Sequence, residues 1–128
     1  MKKEIVQTEN APQPIGPYNQ AVKFGNLLFI SGQIALQPDG SSLIGQSIEE
    51  ETHQVMKNIK NILAEANLDF NDVIKISIFM KDLSLFYQVN ETYGSYFATD
   101  TAPARETVEV SKLPKNAQIE ISIIAGIS

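Results

Sequence analysis

Cysteine and tryptophan are absent from this chain, and histidine and arginine occur once each, as His53 and Arg105. Without cysteine there is no disulfide framework, no thiolate metal site and no cysteine nucleophile. A single histidine makes no metal cluster, and together these absences exclude the His/Cys/Cys zinc arrangement of the nucleobase deaminases. No cofactor or metal is therefore expected. Long apolar runs are also missing, since nothing approaches the ~20 residues that span a bilayer. Lys2 and Lys3 open the chain as a signal peptide would, but residues 5–10 are too short and polar for its apolar segment. A cytoplasmic protein with no membrane association is expected. Positive charge is scarce as well. A net charge of −5 and a pI near 4.8 argue against a nucleic-acid partner, because that affinity rests on clustered Lys and Arg.

What is present suffices for folding. The 128 residues are 43% hydrophobic, which suits one domain over residues 1–128 burying roughly two-thirds of its unfolded surface. Residues 3–7 read as a short strand, followed by a loop punctuated by Pro12, Pro14, Gly16 and Pro17. Two apolar runs, 20–24 and 27–31, flank Gly25 and Asn26 as a hairpin. Ser47 with Glu50 three residues on is a capping box, and Val55, Ile59, Ile62, Leu63 and Ala66 repeat at helical spacing, predicting a helix over 47–66. The β-branched run 73–80 predicts a strand covered on both sides. Phe86, Val89, Tyr93 and Phe97 mark a second helix ending near Ala98, and strands over 105–110 and 118–127 complete the order βββαβαββ.

A strand–helix–strand unit is normally parallel and right-handed, so 73–80 and 105–110 should lie side by side. The last strand, with Ile119, Ile121 and Ile123, is too apolar for an edge and should insert centrally. The reading is an α+β fold: a single mixed six-strand sheet with two helices packed on one face. Its other face would be left bare, and an exposed apolar sheet face predicts oligomerisation.

Arg105 stands alone among ten basic residues, nine of them lysine. Side chains alternate along a strand, so Arg105, Thr107 and Glu109 share a face opposite Val108 and Val110, while Glu120 and Ser122 oppose Ile119, Ile121 and Ile123. If the valines and isoleucines point to the helices, Arg105 and Glu120 both face the bare side. A guanidinium beside a carboxylate suits an organic acid: arginine grips the substrate carboxylate bidentately and glutamate positions water. On spacing alone, an ion pair across a subunit interface explains the two residues at least as well.

Four motifs, in order and at matching spacing, resemble the RidA/YjgF family of enamine/imine deaminases. They are Ile15 to Ala21 (IGPYNQA), Phe29 to Ile34 (FISGQI), Val89 to Tyr93 (VNETY), and the stretch from Pro103-Ala104-Arg105 through Leu113-Pro114 to Ile119-Glu120-Ile121. The resemblance implies a chorismate-mutase-like fold and a homotrimer with inward-facing sheets and clefts between subunits. It also implies hydrolysis of 2-iminobutanoate and 2-iminopropanoate to 2-oxo acids and ammonia. By that resemblance Arg105 binds the substrate carboxylate, Glu120 activates or orients water, and Tyr18, Ser31, Gly32 and Asn90 line the cleft, Gly32 through its backbone N–H. The resemblance also makes Thr107 a substrate-binding residue through its backbone N–H, although it stands where the family often has cysteine; Ser122 stands where a second glutamate often follows. The alternative is a non-catalytic trimeric module that binds 2-oxo acids in the same cleft.

Other candidates carry less. His53 lies roughly 125° around the helix from its apolar stripe, at solvent or an interface. Asp39-Gly40 is a turn without calcium-ligand spacing. Glu49, Glu50 and Glu51 suit the positive end of a helix with no further role. Gly16 and Gly32 lack the spacing of a phosphate loop.

Overall fold

The computed structural model describes residues 2–128. The hairpin forms as its sequence directs. Strand β2 (Ala21–Phe24) turns back into β3 (Leu27–Gln33), with Gly25 at φ 61°, the left-handed conformation a two-residue turn favours at its first central position. Strand β1 (Glu4–Val6) pairs with β2. Helix α1 (Ile48–Glu65) starts at Ser47, whose side chain accepts a hydrogen bond from the Glu50 N–H. Strand β4 (Val73–Met80), helix α2 (Phe86–Gly94), strand β5 (Ala104–Glu109) and strand β6 (Ile119–Gly126) follow. Helix α2 stops at Gly94 rather than near Ala98. Phe97 still packs, but from a turn, with its ring 5.3 Å from Phe70 and 4.9 Å from Tyr93.

One six-stranded sheet results, in the order β1-β2-β3-β6-β4-β5. As expected, β6 is central, antiparallel to both β3 and β4, and β5 runs parallel to β4. Ile119, Ile121 and Ile123 of β6 join Leu28, Ile30, Ile76, Ile78 and Met80 on the face covered by Val55, Met56, Ile59, Ile62 and Leu63 of α1, and all are buried. Burying each such side chain contributes roughly 1.5–3 kcal/mol, so this face drives folding. The opposite face is bare and apolar: Ile5, Phe24, Phe29 and Val108 are each more than 40% exposed.

Glu51 departs from its expected role as a mere end charge. Its carboxylate is fully buried, accepts from the Gly45 N–H at 2.9 Å and the Gln118 N–H at 3.2 Å, and is also met by the Gln118 amide. A buried carboxylate is tolerated when donors surround it. Here those donors tie the start of α1 to the residue just before β6.

Candidate functional site

Glu120 sits one residue into β6, on the bare face, opposite Phe79 of β4. Across from it β3 is irregular: its register to β6 slips between Ile30 and Gln33, at Ser31 and Gly32. Such a bulge bends the strand and re-aims its side chains. The Ser31 N–H donates to the Gln20 carbonyl at 2.9 Å and its hydroxyl to the Asn19 carbonyl at 2.6 Å, which ties the bulge to the proline-rich loop. Gly32 is needed for space rather than for a special φ. A Cβ there would lie 2.7 Å from the Glu120 carboxyl carbon and 2.7 Å from its Oε2. The role expected for Gly32 was a backbone N–H contact; its visible role is to let the carboxylate lie against the strand.

Gln20 organises the facing wall. Only 1% exposed, it accepts from the Thr8 N–H at 2.8 Å and donates to the carbonyls of Thr8 at 3.0 Å and Pro12 at 2.9 Å. An amide inside an apolar run was the sequence signal for this clamp. Tyr18 stands beyond it, half-exposed, with its hydroxyl accepting from the Ile15 N–H at 3.4 Å. Tyr18, Ser31, Gly32 and Glu120 all line one cleft of about 520 Å³. Burial pushes the Glu120 carboxyl above its ordinary value. That is the direction a proton-transferring carboxylate needs for work nearer neutral pH.

Arg105, Thr107 and Asn90 form a second cluster elsewhere. Arg105 pairs with Ile76 and Thr107 with Ile78, and both isoleucines face the helices. Arg105 therefore points under α2, while Val108 points to the bare face, 41% exposed. Arg105 and Glu120 lie on opposite faces of the sheet, contrary to the expectation from alternation. The physical reason is that β5 is an edge strand on which neither face is fully buried, so its valine had no obligation to the core. Within one chain the two side chains do not meet; the pairing across a subunit interface is untouched by this geometry. Arg105 Nη1 instead donates to Asn90 Oδ1 at 2.7 Å, with the guanidinium carbon 5.0 Å from the Tyr93 ring centre and 5.5 Å from that of Phe86. Cation–π contacts contribute roughly 0.5–2 kcal/mol and hold the planar fork still. Thr107 Oγ1 is buried and, among the described residues, has no hydrogen-bond partner. His53 is outside both clusters, its Nδ1 2.6 Å from the Tyr96 hydroxyl.

The chain thus carries two separate clusters, an acid in a cleft and a guanidinium on an edge strand. Comparisons with known proteins place them in context. The family model described as Endoribonuclease L-PSP matches residues 8–127. A RutC family protein of Pyrococcus horikoshii is 50% identical over 96% of this chain and 97% of its own length. Reactive Intermediate Deaminase A, chloroplastic, of Arabidopsis thaliana is 46% identical over 98% of this chain and 66% of its own. Among solved structures, RidA from the Antarctic bacterium Psychrobacter sp. PAMC 21119 superposes with a TM-score of 0.91 at 38% identity, covering 97% of this chain and 99% of that one. The YjgF gene product of E. coli gives 0.88 at 41% identity, covering 96% and 98%. With a family model across nearly its whole length and relatives this similar, the chain belongs to the RidA/YjgF family, the one described as Endoribonuclease L-PSP.

Proposed function

We propose that this protein hydrolyses reactive 2-imino acids, 2-iminobutanoate and 2-iminopropanoate among them, to 2-oxo acids and ammonia. The observation that carries the reading is the Glu120 carboxyl, partly desolvated against Gly32 in a cleft. An imine carbon is already electrophilic. Water adds to it while Glu120 takes a water proton, forming the C–O bond. Glu120 returns that proton to nitrogen, giving a carbinolamine. It then relays the carbinolamine's hydroxyl proton to the same nitrogen as the C=O bond forms, the C–N bond breaks and ammonia leaves the 2-oxo acid. Arg105 holds the substrate carboxylate through its free N–H groups, and Asn90 keeps the fork in plane. Orientation supplies much of the rate. The nuclease in the family's description has little to act through here, since the chain is acidic and its one histidine is bound to Tyr96.

Because Arg105 and Glu120 occupy opposite faces, a site using both takes them from two copies. The bare apolar face supports a homotrimer with its clefts between subunits. Light scattering after gel filtration is expected to give three times the 14.1 kDa chain mass. A monodisperse monomer at micromolar concentration contradicts the shared site. Activity is tested by generating 2-iminobutanoate in situ with semicarbazide as trap: the protein should suppress the adduct. Binding of 2-oxobutanoate with no suppression across several amino-acid precursors would identify a 2-oxo-acid-binding module instead.

Gly32→Ala probes the geometry. Its methyl displaces the Glu120 carboxylate, a mobile side-chain end, so the melting temperature should change little while turnover falls on the order of tenfold. Full turnover in a folded Gly32→Ala protein would show that the close approach is irrelevant.

A further inference from the structure

Lys115 lines the same cleft as Glu120 and has no part in the imine hydrolysis proposed above. Its backbone is held at φ 55°, a left-handed conformation that a lysine rarely adopts, next to Asn116 at φ 60°, which asparagine tolerates. The loop is fastened there by the Asn116 N–H to the Leu113 carbonyl at 3.2 Å, the Ala117 N–H to the Pro114 carbonyl at 3.1 Å, and Lys81 Nζ to Asn116 Oδ1. Strained backbone at the wall of a cleft is a recurrent mark of a functional position. The ammonium is also unclaimed. The ion pairs among the described residues join Lys23 to Glu4 and Lys75 to Glu106, and Lys115 enters neither. The lining of that cleft also includes the apolar side chains of Pro114, Ile15 and Ile34. The cleft, about 520 Å³, is in the range of pockets for ligands larger than a four-carbon acid.

We propose that Lys115 forms a subsite for a second anionic group, so that the cleft accepts dicarboxylic 2-imino acids with their methylenes against these apolar side chains and their distal carboxylate on the ammonium. This rests on the deaminase reading for turnover, but not for binding. A lysine on a flexible stem suits a distal group whose position varies with chain length. In a chain of net charge −5, a lysine on the cleft lining that enters no ion pair among the described residues counters the general repulsion of a dianion.

The test compares 2-iminoglutarate with 2-iminobutanoate, both made in situ by amino-acid oxidases, and their products 2-oxoglutarate and 2-oxobutanoate by calorimetry. Lys115→Asn removes the charge while asparagine tolerates the left-handed backbone. The expected result is a fall of about tenfold in the dicarboxylate-to-monocarboxylate ratio of kcat/KM and of affinity, with the ratio restored in Lys115→Arg. An unchanged ratio in Lys115→Asn overturns the subsite, as does a wild-type protein that binds 2-oxoglutarate more weakly than 2-oxobutanoate. If the wild-type protein turns over neither imino acid, the deaminase reading fails, and the affinity ratio alone still decides Lys115.

Discussion

Glu120→Gln is expected to lower turnover of 2-iminobutanoate by roughly 10²–10⁴-fold, the range lost with a general acid–base group, while 2-oxobutanoate affinity changes far less. Glutamine keeps the size and an acceptor but neither takes a proton from water nor returns one to nitrogen. The cleft geometry sharpens the expectation, because the carboxyl lies against Gly32 with its pKa raised by burial. A base works when ionised, so turnover should fall as pH drops through that raised pKa, and its acid limb should sit above the ordinary glutamate range. The limb should vanish in Glu120→Gln. Parallel loss of rate and of 2-oxobutanoate binding, measured by stopped assay and calorimetry, would make Glu120 a structural residue.

Arg105→Ala is expected to be comparably damaging, and Arg105→Lys to be intermediate. Lysine keeps the positive charge but loses the planar fork that Phe86, Tyr93 and Asn90 hold in place. One charge-assisted hydrogen bond contributes roughly 1.5–3 kcal/mol, which corresponds to about 10–150-fold in kcat/KM. Alanine also forfeits the charge and should exceed that loss. A more searching result concerns mixtures. Arg105 and Glu120 point to opposite faces of one sheet, so the proposed site takes Arg105 from one copy and Glu120 from another. Inactive Arg105→Ala and Glu120→Gln chains, unfolded and reassembled together at equal amounts, should recover about a quarter of wild-type activity, the chance that a randomly mixed interface receives both intact residues. No recovery from properly assembled mixtures would mean that one chain supplies the whole site. Full activity in Arg105→Lys would mean that the guanidinium is not the carboxylate clamp.

Much of this molecule follows from local rules. Ser47 and Glu50 start α1 because a hydroxyl satisfies an orphan backbone N–H, and that contact is present. Gly25 turns the β2–β3 hairpin, and the apolar β6 lies at the centre of the sheet because three alternating isoleucines need cover on the helix side. The residues of the four motifs were legible too, as a resemblance. Their grouping was not. Alternation relates side chains within one strand and says nothing of the phase of one strand against the next. On β6 the isoleucines determine that phase, since only one face is packed by α1. On β5, at the sheet edge, Val108 rests on a face already apolar, and Arg105 turns under α2 toward Tyr93 and Phe86. Gly32, Gln20 and Glu51 carry the same lesson. A carboxylate occupying the space a Gly32 side chain would need, a loop clamp and a buried carboxylate each depend on residues distant in the chain. Composition and periodicity determined which surfaces are apolar and which residues bear charge. The tertiary structure alone decided that the acid and the guanidinium lie on opposite faces of the sheet, because that depends on how strands pair and which face each helix covers.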